Sequence, residues 1–133
     1  MKKLTYLFLL TVAISCSKSD SGGNGGGGNA QEPAIVFTTD ANPQSNTSLS
    51  STFPVVVTLN SAMPSSSGIN ISATVQTNNA TIAQNAAINS ITAINNIQLI
   101  NLPRQQWCTV TIKVTSVATP SNFATRTFNV AYK

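Results

Sequence analysis

Cys108-Thr109-Val110-Thr111-Ile112-Lys113-Val114-Thr115 alternates apolar and polar side chains without a fault. Successive side chains of a strand point to opposite faces, so a strict period of two marks a strand with one face buried and one in water. Ile69-Asn70-Ile71-Ser72-Ala73-Thr74-Val75-Gln76 repeats the pattern, with Ile69, Ile71, Ala73 and Val75 on one side. Phe53-Pro54-Val55-Val56-Val57-Thr58-Leu59 turns Phe53, Val55, Val57 and Leu59 inward, and Pro54 suits a strand start or a sheet edge. After a turn around Ala118-Thr119-Pro120-Ser121, Thr127-Phe128-Asn129-Val130-Ala131-Tyr132 returns as the hairpin partner of the first run. Ile35-Val36-Phe37-Thr38 and Ile97-Gln98-Leu99-Ile100 supply two more strands.

The stretch from Ala80 to Ile94 is the ambiguous part. Ile82, Ala86, Ile91 and Ile94 fit one side of a short helix, but the Asn and Ser content lowers helix propensity, and two short strands fit better. Asn78-Asn79 and Asn95-Asn96 are expected turns on either side, because asparagine tolerates positive φ. The expected architecture is all-β: about seven strands in a two-sheet antiparallel sandwich over residues 33–133, with Greek-key connections. A span of that length buries about two thirds of its unfolded surface and suffices for one core.

Upstream the texture changes. Met1-Lys2-Lys3 and the apolar run Leu4–Ile14 form the charged and hydrophobic regions of a signal peptide, residues 1–15. The run falls well short of the roughly 20 apolar residues that a spanning helix needs. Ala13-Ile14-Ser15-Cys16 resembles the lipobox of bacterial lipoproteins, and the resemblance implies that Cys16 is acylated and becomes the first residue of the mature chain. Residues 16–32 then hold six of the seven glycines and read as a flexible tether. Its composition implies a span of about 20–25 Å. The glycines are not read as a phosphate cradle, since no strand precedes them and Pro33 follows.

The residue inventory excludes several function classes. Only 8% of the chain is charged, there is no histidine, and the carboxylates are Asp20, Glu32 and Asp40 alone. Ser-His-Asp and Cys-His catalysis, histidine-based zinc sites and most acid/base pairs are therefore ruled out, and the expected protein is not an enzyme. Asp40 and Glu32 are too few for a calcium site and are read as turn or solvent contacts, so no metal and no cofactor is expected. Of the formal charge of +4, Lys2 and Lys3 belong to the signal peptide. Arg104, Lys113, Arg126 and Lys133 are scattered, without the concentrated stripe that nucleic-acid binding needs.

A family resemblance rests on Leu99-Ile100-Asn101-Leu102-Pro103-Arg104-Gln105-Gln106-Trp107-Cys108-Thr109-Val110-Thr111-Ile112. This run resembles the turn and penultimate strand of fibronectin-type-III-like and bacterial immunoglobulin-like domains. Pro120-Ser121-Asn122 leading to Thr127-Phe128-Asn129-Val130 is similar to their last strand. The sequence departs from the pattern at the corner tyrosine. Its place falls to Cys108 by face parity, or to Trp107 if the strand carries a bulge.

Cys108 is the only cysteine left once Cys16 is acylated, and its parity makes it a small core hydrophobe with no histidine to activate it. Arg126 shares parity with Phe128 and is expected to snorkel at the strand end. Trp107 is the candidate ligand contact. Alternation aims it outward with Thr109, Thr111 and Lys113, where an indole can stack on a sugar or anchor a protein. The remaining domain aromatics lie mostly at core parity, so a packing role as the corner residue is expected ahead of a binding one. The expected protein is an outer-membrane lipoprotein of the bacterial cell envelope, facing the periplasm or the cell surface. Held to the membrane through Cys16, it would act as a binding, adhesion or spacer module toward an envelope protein or glycan. A carbohydrate-binding accessory module of a glycan-uptake system is the alternative.

Overall fold

The structure is a computed structural model and describes residues 31–78 and 80–133. The expected signal peptide at 1–15, the expected acylation site Cys16 and all of the expected 16–32 tether except Gln31 and Glu32 lie outside the described residues. Nine strands follow one another: β1 (Phe37–Thr39), β2 (Asn46–Ser48), β3 (Phe53–Leu59), β4 (Ile69–Thr77), β5 (Ala80–Ile82), β6 (Ile88–Ser90), β7 (Ile94–Leu99), β8 (Trp107–Ser116) and β9 (Phe123–Tyr132). They make two sheets. One has the order β1-β3-β7, the other β2-β9-β8-β4-β5, with β6 also paired to β4.

The alternating runs form the long strands because one face of each can be buried. β8 and β9 pair antiparallel from Trp107↔Ala131 to Thr115↔Phe123 without a break in register. β4 joins the other side of β8, so that Ile69, Ile71, Val75, Val110, Ile112, Val114, Phe128 and Val130 share the inner face. The three-stranded sheet meets them with Phe37, Val55, Val57, Leu59 and Leu99. Across the layers Phe53 and Phe128 stand 6.4 Å apart between ring centroids, tilted by 50°. Each fully buried side chain of this size stabilises the fold by roughly 1.5–3 kcal/mol. A one-residue slip of any long strand would turn its whole apolar set into water, so the pattern also sets the register.

Nine strands stand where about seven were expected, and the ends and edges depart from the sequence reading in three places. β2 was not expected, since Asn46-Thr47-Ser48 has no apolar face, and it runs parallel to β9, so the sandwich is not wholly antiparallel. Asn95 and Asn96 lie inside β7 rather than in a turn. Buried Asn95 is satisfied locally, its Nδ2 donating to Thr92 O at 2.9 Å and its Oδ1 accepting from the Thr92 hydroxyl at 3.3 Å. The 80–94 stretch does hold two short strands, β5 and β6, set against opposite ends of β4. Finally, β9 starts at Phe123, four residues before the expected strand.

Gly68 precedes β4 with φ of +80°, and a Cβ there would run into the carbonyl oxygen of Ser90. Only glycine meets both demands, a left-handed backbone and close approach to a neighbouring strand. At the open edge between the sheets, Arg126 Nε donates to Phe37 O at 3.3 Å. The residue expected to snorkel at a strand end thus ties β9 to β1.

Candidate functional site

The two ends of the β8–β9 hairpin differ in chemistry. At one end the chain enters the domain. Asn122, in the turn before β9, donates from Nδ2 to Pro33 O at 3.0 Å and to Glu32 Oε2 at 3.2 Å, while its Oδ1 accepts from Ile35 N at 3.2 Å. Partial desolvation pushes the Glu32 carboxyl up, but hydrogen bonds from Ser116, Asn122 and Thr119 together hold it below its ordinary value.

The other end is built by the Asn101–Gln106 turn and the last residues of β9. Asn101 and Gln105 both take positive φ, 59° and 57°. Non-glycine residues in that region carry backbone strain and persist where the surroundings enforce it. Gln105 N donates to Tyr132 O at 2.6 Å, and Asn101 Nδ2 donates to Ala83 O at 3.1 Å. The Thr77 hydroxyl lies 3.0 Å from Trp107 O and 3.2 Å from Gln106 Oε1, within donating distance of both. Leu102 is buried beneath the turn. These contacts fix the first residue of β8.

That residue is Trp107, and its side chain is 56% exposed. The expectation that it packs as the buried corner residue is overturned. β8 has no bulge, the register Trp107↔Ala131 and Cys108↔Val130 is continuous, and parity therefore sends the indole outward. Cys108 takes the inward place instead, at 1% exposure, as a core hydrophobe. Burial pushes its thiol up, against a smaller opposite effect of the Thr77 hydroxyl, so the reactive thiolate is disfavoured.

Trp107 does not stand alone. With Gln105, Gln106, Ala131, Tyr132 and Lys133 it lines an open groove of about 280 Å³. Ala131, its cross-strand neighbour, lies between Trp107 and Thr47 on the outer face and is buried there. Sequence reasoning missed Tyr132 as a groove residue because its parity matches Phe128 and Val130. Being the last residue of β9, it borders the core with one part and the groove with another. Gln105 and Gln106 carried no signal beyond their place in a turn.

The groove offers an indole, a phenol and two amides, with Lys133 at its rim and Arg104 bridged in the ladder to Tyr132. Such a set stacks and hydrogen-bonds; it contains no nucleophile with a base. Asp40 lies elsewhere, its Oδ1 accepting from Val56 N at 2.8 Å, as a turn contact. Among the described residues no three His, Cys, Asp or Glu side chains come together. Other clefts among the described residues include a space of about 170 Å³ beside Ala73 and Ile97, one of about 330 Å³ between β1 and β9, and one of about 300 Å³ at Glu32. Comparison with protein-family models, with curated proteins and with solved structures finds no match to this chain.

Proposed function

We propose that this chain is a non-enzymatic, membrane-anchored lipoprotein of the bacterial cell envelope whose immunoglobulin-like sandwich holds a binding end away from the bilayer. The strand order supports the family reading in that β1-β3-β7 and β9-β8-β4-β5 follow the A-B-E and G-F-C-C′ order of fibronectin-type-III-like sandwiches, while β2 on β9 and β6 on β4 are additions to it. The lipobox-like Ala13-Ile14-Ser15-Cys16 supports the anchor. Two or three acyl chains at about 0.8 kcal/mol per buried methylene hold a protein to a membrane essentially permanently.

One observation carries the reading. The chain enters beside Asn122 while the Trp107 groove opens at the far end of β8, about 30 Å away for a ten-residue strand. An anchor at Cys16 therefore leaves the exposed indole at the distal tip, which favours binding or adhesion over a plain spacer. The test is Cys16→Ser, which should abolish fatty-acid incorporation and release the protein from membranes. Retention of the substituted chain with an intact N-terminus would refute the anchor.

A second reading, a carbohydrate-binding accessory module, is favoured by the composition of the groove. An aromatic face beside amide donors and acceptors suits a pyranose ring, apolar on one side and ringed by hydroxyls. Affinity electrophoresis on immobilised polysaccharides tests it, with retardation of the natural chain lost in Trp107→Ala as the expected outcome.

A further inference from the structure

Eight large apolar side chains stand exposed on the described residues, and five of them, Val36, Ile91, Ile94, Val117 and Phe123, gather at the end where the chain enters. The contacts between their segments place them at one end of the sandwich, Val36 and Ile94 on the three-stranded sheet and Phe123 on the other. Val117 N donates to Gly68 O at 3.1 Å, and a Cβ on Gly68 would touch Ile91 Cγ2. Ile94 pairs with Thr58, and one residue on, Leu59 N donates to Ala93 O at 2.7 Å. Asn60 N in turn donates to Val36 O at 2.7 Å, and Phe123 begins β9 beside Asn122. The loops that form this tip, 60–68, 91–93 and 117–122, contain no Asp, Glu, Lys or Arg, and the one carboxylate beside them is Glu32 of the entering segment, which accepts from Asn122 Nδ2 at 3.2 Å. Ile91 is 73% exposed and Phe123 51%. Lys113 Nζ lies 4.3 Å from the centroid of the Phe123 ring, and Arg126 Nε donates to Phe37 O next to Val36.

We propose that this tip docks on a lipid bilayer, with Ile91, Val117 and Phe123 at the boundary between headgroups and acyl chains and Lys113 reaching up to the phosphates. The inference rests on the reading that Cys16 is acylated. Several features point to lipid as the occupant. The chain reaches the tip through Glu32, only 16 residues after Cys16, and the composition of that segment implies a span of about 20–25 Å. The tip is then confined near the surface that holds the acyl chains. Effective concentrations on short linkers are on the order of millimolar, so even a weak apolar affinity keeps the tip down. Interfacial segments combine apolar and aromatic side chains with lysines that snorkel to the headgroups, as Phe123 and Lys113 do here. Arg104, Lys133 and Trp107 lie at the opposite end and stay in water.

The chain carries a single tryptophan, which makes the orientation measurable. The full acylated chain is placed in phosphatidylethanolamine–phosphatidylglycerol vesicles with or without bromine on the acyl chains. One sample is the natural chain, in which Trp107 reports the distal end. The other combines Trp107→Phe with Phe123→Trp, so that the reporter sits at the tip; circular dichroism checks that it is folded. Docking is upheld if the tip reporter shifts to the blue and loses at least half its emission to brominated lipid while Trp107 keeps its own. Adding Ile91→Asn and Val117→Asn should reduce that quenching several-fold. An unquenched tip reporter on a chain that sediments with the vesicles overturns docking and leaves the anchor standing. A chain that does not sediment with the vesicles overturns both. A blue shift that grows with protein concentration, without quenching, would assign the tip to a second copy of the chain and also overturn the proposal.

Discussion

Asn122 and Glu32 are hydrogen-bonded at 3.2 Å, and through this pair the turn before β9 holds the chain as it enters the domain. The same asparagine accepts from Ile35 N, so one side chain orders four residues of backbone. Without it, the lead-in to β1 would keep only the Ser116 and Thr119 contacts of Glu32 and the burial of Ile35.

The first prediction concerns pH. Hydrogen bonds from Ser116, Asn122 and Thr119 outweigh desolvation and hold the Glu32 carboxyl below its ordinary value. A depressed carboxylate contributes stability above its unfolded pKa, about 4.3 for glutamate, and loses it as pH falls through the lower folded value. Protection of the Ile35 amide against hydrogen exchange should therefore hold from neutrality to about pH 5 and decline in more acid solution. Glu32→Gln should flatten that decline, and an unchanged acid profile in the variant would assign it to another group.

Gly68→Ala tests the crossing of the β3–β4 connection with β6. The positive φ costs an alanine about 1 kcal/mol or more, and the collision with Ser90 O adds to it because a strand backbone cannot swing aside. The expected loss is about 2–4 kcal/mol, read as a lowered denaturant midpoint with an unchanged slope.

Cys108 provides a third test. Its buried thiol should resist thiol reagents in the native protein and react fully once denaturant is added. Burial raises the folded pKa, so above about 8.5 the unfolded state binds fewer protons and stability falls as pH rises. Cys108→Val should remove that alkaline slope at a cost below about 1.5 kcal/mol, whereas Cys108→Ser, which buries a hydroxyl, should cost about 1–3 kcal/mol.

The core was legible in the sequence because burial on one face writes itself into every second residue. β3, β4 and β8 match their alternating runs almost residue for residue. Edges follow another logic. β2 carries no apolar pattern and is held by the backbone ladder to β9 and by Asn46 Nδ2 donating to Asn129 O at 2.9 Å. Between β5 and β6 the chain leaves β4, and the Gln84 side chain pairs with Ile100, accepting from its N at 2.9 Å and donating to its O at 2.8 Å. A side-chain amide standing in for a strand partner leaves no periodic trace. For Trp107 the parity of β8 already pointed outward. The count of aromatics argued the other way, and the local geometry prevailed.

The last prediction separates a recognition residue from a packing one at Trp107. Because the indole is more than half exposed and rests on Ala131 rather than in the core, Trp107→Ala should cost about 1 kcal/mol of folding stability or less. Truncation of a buried tryptophan would cost about 3–5 kcal/mol. Emission of the natural chain should accordingly be red-shifted and readily quenched by iodide. If the groove is the binding end, a matching glycan or envelope partner should shift that emission and shield it from iodide, and Trp107→Ala should weaken binding by about 2 kcal/mol or more with the melting temperature nearly unchanged. A variant that melts many degrees lower and keeps its affinity would return Trp107 to a structural role. A variant that keeps both its stability and its affinity would remove the groove from the interaction altogether.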